Sequence, residues 1–156
     1  MENITCWAFR SLFRGATDAY SGIISMSYLN ERHKAWKEAD FFTIKNQRQW
    51  LQVATSNELQ CKEFIKRTEE EFEALPDQSN MYGIQLNCSC PSPYILKIGQ
   101  GPCLIKRPAK VISILKELLK QDKYKVSIKT RLGYDDREVR EGRIFRLFGE
   151  LEKLHQ

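Results

Sequence analysis

Long apolar runs are what this sequence most lacks. No stretch approaches the roughly 20 consecutive apolar residues of a membrane helix, and no charged start followed by an apolar segment reads as a signal peptide. A membrane partner is therefore not expected. Histidine is scarce. Among 156 residues there are two, His33 and His155, neither near a cysteine in sequence, so a Cys–His nucleophile is unsupported. The five cysteines, Cys6, Cys61, Cys88, Cys90 and Cys103, are odd in number and lack framework spacing. That argues against a disulfide scaffold and for a reducing, cytoplasmic setting. Cys88-Ser89-Cys90 has no second Cys or His pair at ligand spacing, so no metal is expected. Internal repeats, low-complexity tracts and interdomain linkers are also missing, which leaves one domain.

What is present is ordinary in bulk. Hydrophobic residues make up 42% and charged residues 29%, a globular balance too apolar for a disordered chain. Lys and Arg number 25 against 20 Asp and Glu, a net charge of +5. This surplus suits an RNA-facing surface, but it is equally common among small soluble proteins.

Short apolar runs alternate with amphipathic segments. Residues 6–14 read as a helix with apolar points at Trp7, Phe9, Leu12 and Phe13, with Thr5 as its cap and Gly15 as its end. Residues 19–27 and 50–54 read as strands, with a polar helix over 30–39 between them. Thr55 to Glu58 supply caps for a helix reaching about Leu75, and 76–80 form a loop. Residues 82–87 are a compact strand, and 88–101, with its Pro and Gly breaks, is a loop. Pro108 opens a helix to about Lys120, apolar at Val111, Ile112, Leu115, Leu118 and Leu119. Residues 125–129 are a strand, 133–136 a turn, and 137–154 a last helix. Strands and helices in alternation imply βαβ units and a parallel sheet. In such sheets chemistry collects at the carboxyl ends of the strands, which singles out Gln52, residues 87–91 and residues 129–133.

The densest signal runs from Gly83 to Pro108, GIQLNCSCP and then KIGQGPCLIKRP. An Asn side chain can pair with a pyrimidine edge through its amide donor and acceptor. A loop cysteine can give a proton to a carbon acid if it stays protonated near neutral pH, as an ordinary thiol of pKa about 8.5 does. A plain Gly/Pro-rich connection with two buried thiols fits the same composition. In VSIKTRLG, Lys129 and Arg131 lie two apart at a strand end and so are expected to point the same way. They suit a phosphate or an electron-rich ring, or are simply solvated charges. Arg10, Arg14, Arg32 and Lys34 are expected on the surface.

In order and spacing these segments resemble the tRNA-dihydrouridine synthases, flavin enzymes built on a β/α barrel. The residues that carry the resemblance are Asn87-Cys88-Ser89-Cys90-Pro91, Lys97-Ile98-Gly99-Gln100-Gly101, Leu104 to Pro108 and Lys129-Thr130-Arg131-Leu132-Gly133. The opening Met1 to Thr5 with Ala8-Phe9-Arg10, and Gln52 in WLQV, fit as well. Ser89 stands where that family usually has Gly, and Ser21-Gly22-Ile23 lacks the acid common in its second strand.

The resemblance implies a partial TIM-type β/α barrel of about five parallel strands with their helices, and an FMN-dependent reduction of uridine in tRNA with NADPH as electron donor. Cys90 would be the proton donor. Met1, Gln52 and Lys129 would contact the flavin, and Asn87, Lys97 and Arg131 would face the base or the RNA. A complete barrel takes about 250 residues. Residues 1–156 are therefore expected to form the N-terminal portion of one, with a missing C-terminal half or self-association through open sheet edges. Two alternatives stay open: a dihydroorotate-dehydrogenase-like flavin enzyme, since Asn-x-Ser-Cys-Pro also resembles that group, and a non-catalytic remnant that binds RNA or a partner half-barrel.

Overall fold

Short runs buried on both faces build one parallel sheet, seen here in a computed structural model that describes residues 5–39, 44–73 and 81–154. Strand β3 (Arg48–Ala54) lies beside β4 (Met81–Cys88), and β4 beside β5 (Lys125–Thr130). Two short strands, β1 (Asp18–Tyr20) and β2 (Ile24–Ser25), pair in parallel with the two ends of β3 on its other side. With helices on one face, this is an α/β half-barrel of parallel strands. No described helix is long and apolar enough to cross a membrane.

The expected single strand over 19–27 is broken, for a local reason. The Ser21 hydroxyl donates to the Gly22 carbonyl (2.8 Å) and accepts from the Gln52 backbone N–H (2.9 Å), replacing a ladder bond between strands. The chain pairs again only at Ile24, and α2 (Met26–Glu31) begins at once, followed by α3 (His33–Ala39).

The sheet's two faces differ. Leu51, Val53, Ile84, Leu86 and Cys88 point to the helices and form one core with Met26, Leu29, Cys61, Phe64, Val111, Ile114, Leu115, Leu118, Ile144 and Leu147. Helix α4 (Leu59–Glu73) links β3 to β4, and its start is capped as the sequence suggests, by Asn57 accepting from Leu59 N at 3.0 Å. Lys110–Glu58, at 2.7 Å, ties α4 to the β4–β5 helix, α6 (Pro108–Leu118). The buried stripe of α6 is Val111, Ile114, Leu115 and Leu118, the i, i+3, i+4, i+7 set. Leu119, expected in that stripe, is exposed because the helix ends one residue before it, and Ile112 is only half-buried.

Three further expectations change. Helix α1 spans only Trp7–Ser11, is capped by Cys6 without a side-chain bond, and buries Arg10 while Trp7, Leu12 and Phe13 are exposed. The cause is polar: Arg10 Nε donates to Gln49 Oε1 at 3.0 Å, and Gln47 Nε2 to the Phe13 carbonyl at 3.2 Å. Arg10 is thus an internal tether and not a surface charge. The segment over 88–101 holds a short helix, α5 (Pro93–Lys97), with Pro at its first turn, where a missing N–H costs nothing. The last helix is two, α7 (Asp136–Arg140) and α8 (Arg143–Glu152), because Gly142 turns left-handed at φ 62°. The expected loop over 76–80 lies outside the described residues.

Candidate functional site

The face of the sheet turned away from the helices is layered by register. At the amino end, Trp50 stands opposite Gly83, whose partner on β5 is Lys125. Gly83 is required here, because a Cβ would come within 2.6 Å of the Lys125 carbonyl and overlap the Trp50 ring. Trp50 stacks on Tyr20 (5.7 Å) and meets Tyr82 edge-on (5.2 Å), while its Nε1–H donates to Asp18 at 2.7 Å. These rings floor the face.

Two residues further along each strand lie Gln52, Gln85 and Ser127, paired across β3, β4 and β5. Gln52 Nε2 donates to Gln85 Oε1 at 2.7 Å, and Gln85 Nε2 reaches Ser127 Oγ at 3.4 Å. One step on, Asn87 pairs in register with Lys129. Asn87 Nδ2 donates to Gln52 Oε1 at 2.8 Å, and Asn87 Oδ1 accepts from the backbone N–H of Ser89 (3.0 Å) and Cys90 (2.9 Å). Gln52 and Asn87 are 8% and 3% exposed. The interior of a β/α barrel is ordinarily filled by branched apolar side chains. Here buried amides hold one another, and the last of them shapes the turn that carries Cys90.

That turn is fixed from its other side too. Gly101 sits at φ 59°, and a Cβ there would come within 2.6 Å of the Cys90 carbonyl. Cys90 is half-buried. Cys88 is buried against the helices, and burial pushes its thiol up to about 12. The two cysteines of the CSC segment thus differ in access: Cys88 is in the core and Cys90 is half-buried on the turn.

The structure brings Gln52, Asn87, Cys90 and Lys129 together at the carboxyl ends of β3, β4 and β5. Lys129 is exposed at this mouth, and Lys97 is exposed at the end of α5. The expectation that Lys129 and Arg131 point the same way does not hold as a strand rule: β5 ends at Thr130, so Arg131 lies in the following turn. Met1 lies outside the described residues, as does His155. His33 pairs with Glu71 of α4, on the helical side. Two members escape the motif reading, Gln85 and Ser127. Both lie inside the segments GIQLNCSCP and VSIKTRLG, but nothing there singles them out, and only the strand register places them beside Gln52 and Asn87. A third is Glu138, 2% exposed, whose carboxylate accepts from Tyr134 N (2.8 Å) and faces Lys106 Nζ (3.2 Å). It joins the loop after β5 to the segment before α6.

Chemically, the mouth offers buried amides, an exposed cation and a half-buried thiol. A planar heterocycle bearing carbonyl and N–H groups suits that set. The family profile described as Dihydrouridine synthase (Dus) matches residues 1–146. Among curated proteins, the chain is 38% identical over 56 residues to a probable tRNA-dihydrouridine synthase 1 of Synechocystis, covering 36% of this chain and 16% of that one. It is 33% identical over 91 residues to a probable tRNA-dihydrouridine synthase of Helicobacter pylori, covering 58% and 26%. It is 30% identical over 90 residues to the human tRNA-dihydrouridine(20a/20b) synthase [NAD(P)+]-like, covering 53% and 28%. The matched part of the chain thus spans between 16% and 28% of the length of these relatives.

Proposed function

Since the chain belongs to the dihydrouridine synthase family, we propose that its residues form one side of a flavin site at which the C5–C6 double bond of a uridine in tRNA is reduced. The observation that carries this reading is the amide ladder Gln85–Gln52–Asn87, which ends on the backbone N–H of Cys90. A buried polar ladder beside an exposed cation fits the alternating carbonyl and N–H edge of FMN better than it fits a packed core.

FMN bound there and reduced by NADPH would supply the hydride for one carbon of the C5–C6 bond. Cys90 gives its Sγ proton to the neighbouring carbon, so that two C–H bonds replace the π bond. Asn87 orients the base with the amide hydrogen that the ladder leaves over. Gln52 and Lys129 hold the cofactor, Lys129 by offsetting negative charge on the reduced ring. Lys97 and Arg131 meet the RNA. Met1 is assigned to the flavin by resemblance alone, and the cytoplasmic setting follows from the same assignment.

The test is a chimera in which residues 1–154 are continued by the remaining barrel of a curated relative. Cys90→Ala should keep bound flavin and lose dihydrouridine formation by about 10²–10⁴-fold, the usual loss for a general acid. Turnover near that of the parent chimera would remove Cys90 from the role.

A further inference from the structure

We propose that Tyr94, at the mouth of the half-barrel, is a stacking platform for an unpaired base of the RNA strand, with Lys97 on the adjoining phosphate. This rests on the reading of the site as one that acts on RNA. Helix α5 starts three residues after Cys90, just past the carboxyl end of β4, and is tied to the loop that follows β3. Its Leu96 N–H bonds the Ser92 carbonyl (3.0 Å), and Ser56 Oγ of the β3–α4 loop reaches the Ile98 carbonyl (3.5 Å). On this helix Tyr94 is 67% exposed. Among the described residues its ring has no aromatic or cationic neighbour. Lys97 stands three residues on, the spacing that puts two side chains on one helix face, and it too is exposed, with no ion pair among the described residues.

The segment after β5 repeats the pairing of ring and cation. Lys106 Nζ lies 4.1 Å from the Tyr134 ring centroid, and the buried Glu138 holds both partners in place. Arg131 and Lys129 are exposed and without ion pairs among the described residues. The nearby carboxylates are largely committed: Glu58 to Lys110, Glu138 to Lys106, and Asp135 to the cap of α7, leaving Asp136. Free cations interleaved with exposed rings match a single-stranded nucleic acid, whose bases stack and whose phosphates are neutralised. A protein partner would instead favour a patch poor in lysine.

The experiment measures binding of an unmodified tRNA transcript to the 156-residue chain by fluorescence anisotropy at several salt concentrations. Tyr94→Ala should weaken binding by about 5- to 150-fold at an unchanged salt slope, and Tyr94→Phe should bind like the wild type. Lys97→Ala should lower the slope of log K against log salt by about 1. Because both side chains are exposed, the variants should melt with the wild type. Wild-type affinity in Tyr94→Ala, or an equal loss in Tyr94→Phe, would overturn the stacking role. So would a wild-type chain that binds no tRNA, or one from which duplex DNA displaces tRNA as well as tRNA itself does. None of these outcomes touches the Cys90 test in the chimera, which judges the proposed reaction separately.

Discussion

Asn87 does two jobs with one amide. Its oxygen closes the Cys90 turn and its nitrogen ties that turn to Gln52. Replacing it with Ala strands two backbone N–H groups and the Gln52 oxygen, so Asn87→Ala should cost about 1–3 kcal/mol, read as a lower urea midpoint. The same turn sorts the thiols. Burial pushes both Cys61 and Cys88 up to about 12, with the Glu117 and Glu58 carboxylates adding to the effect at Cys61. Because the thiolate is the nucleophile, iodoacetamide at about pH 8 should label the exposed Cys6 and the half-buried Cys90 and Cys103 well before Cys61 or Cys88. Peptide mapping checks the order; early labelling of Cys88 would contradict its placement in the core. Lys129 is the residue-scale test of the flavin assignment. Lys129→Ala in the chimera should lower flavin content, whereas Cys103→Ala should not, as read by absorbance per mole of purified protein.

At the scale of elements, β1 is three residues long and owes its place to side chains as much as to its ladder. Asp18 takes Arg48 Nη2 at 2.5 Å and Trp50 Nε1 at 2.7 Å. These bonds, Arg48 first, hold its carboxyl below the usual carboxylate range. A lowered acid stabilises the fold above about pH 4, its ordinary value, and that stabilisation is lost as pH falls through the lowered one. Asp18→Asn should therefore lose less stability than the wild type between pH 5 and 3, measured by thermal melts. Helix α7 shows the opposite balance of legibility. Its Asp135 cap, accepting from Glu138 N at 2.9 Å, follows the familiar D-x-x-E pattern. The glutamate of that pattern, however, turns inward to Tyr134 and Lys106, a use that spacing does not reveal.

The whole molecule is a sheet with two flanks. Among the described residues β5 pairs only with β4, and β1 and β2 pair only with β3. Unpaired strand edges invite association, and Leu132, Phe145 and Phe148 are exposed on the segments that follow β5. We expect the 156-residue chain to retain FMN weakly and to self-associate. Size-exclusion chromatography read at protein and flavin wavelengths checks this, and a stable monomer with stoichiometric FMN would refute it. What the sequence determined by itself was local and periodic. Short apolar runs placed β3, β4 and β5, Pro108 marked the start of α6, and the Asn87-to-Pro91 and Lys129-to-Gly133 segments fell at strand ends because the apolar runs stop there. Only the tertiary structure decided how those ends meet. Side chains far apart in sequence became neighbours through strand register: Gln52 with Asn87, and Gln85 with Ser127. Arg10 was buried by a glutamine 39 residues away, and Ser21 broke a strand by bonding across to Gln52. Periodicity reports which side of an element is apolar, because burial repeats with the backbone. It carries no record of which polar group will stand opposite, because that is set by how the strands align and by the cost of leaving a buried amide unpaired.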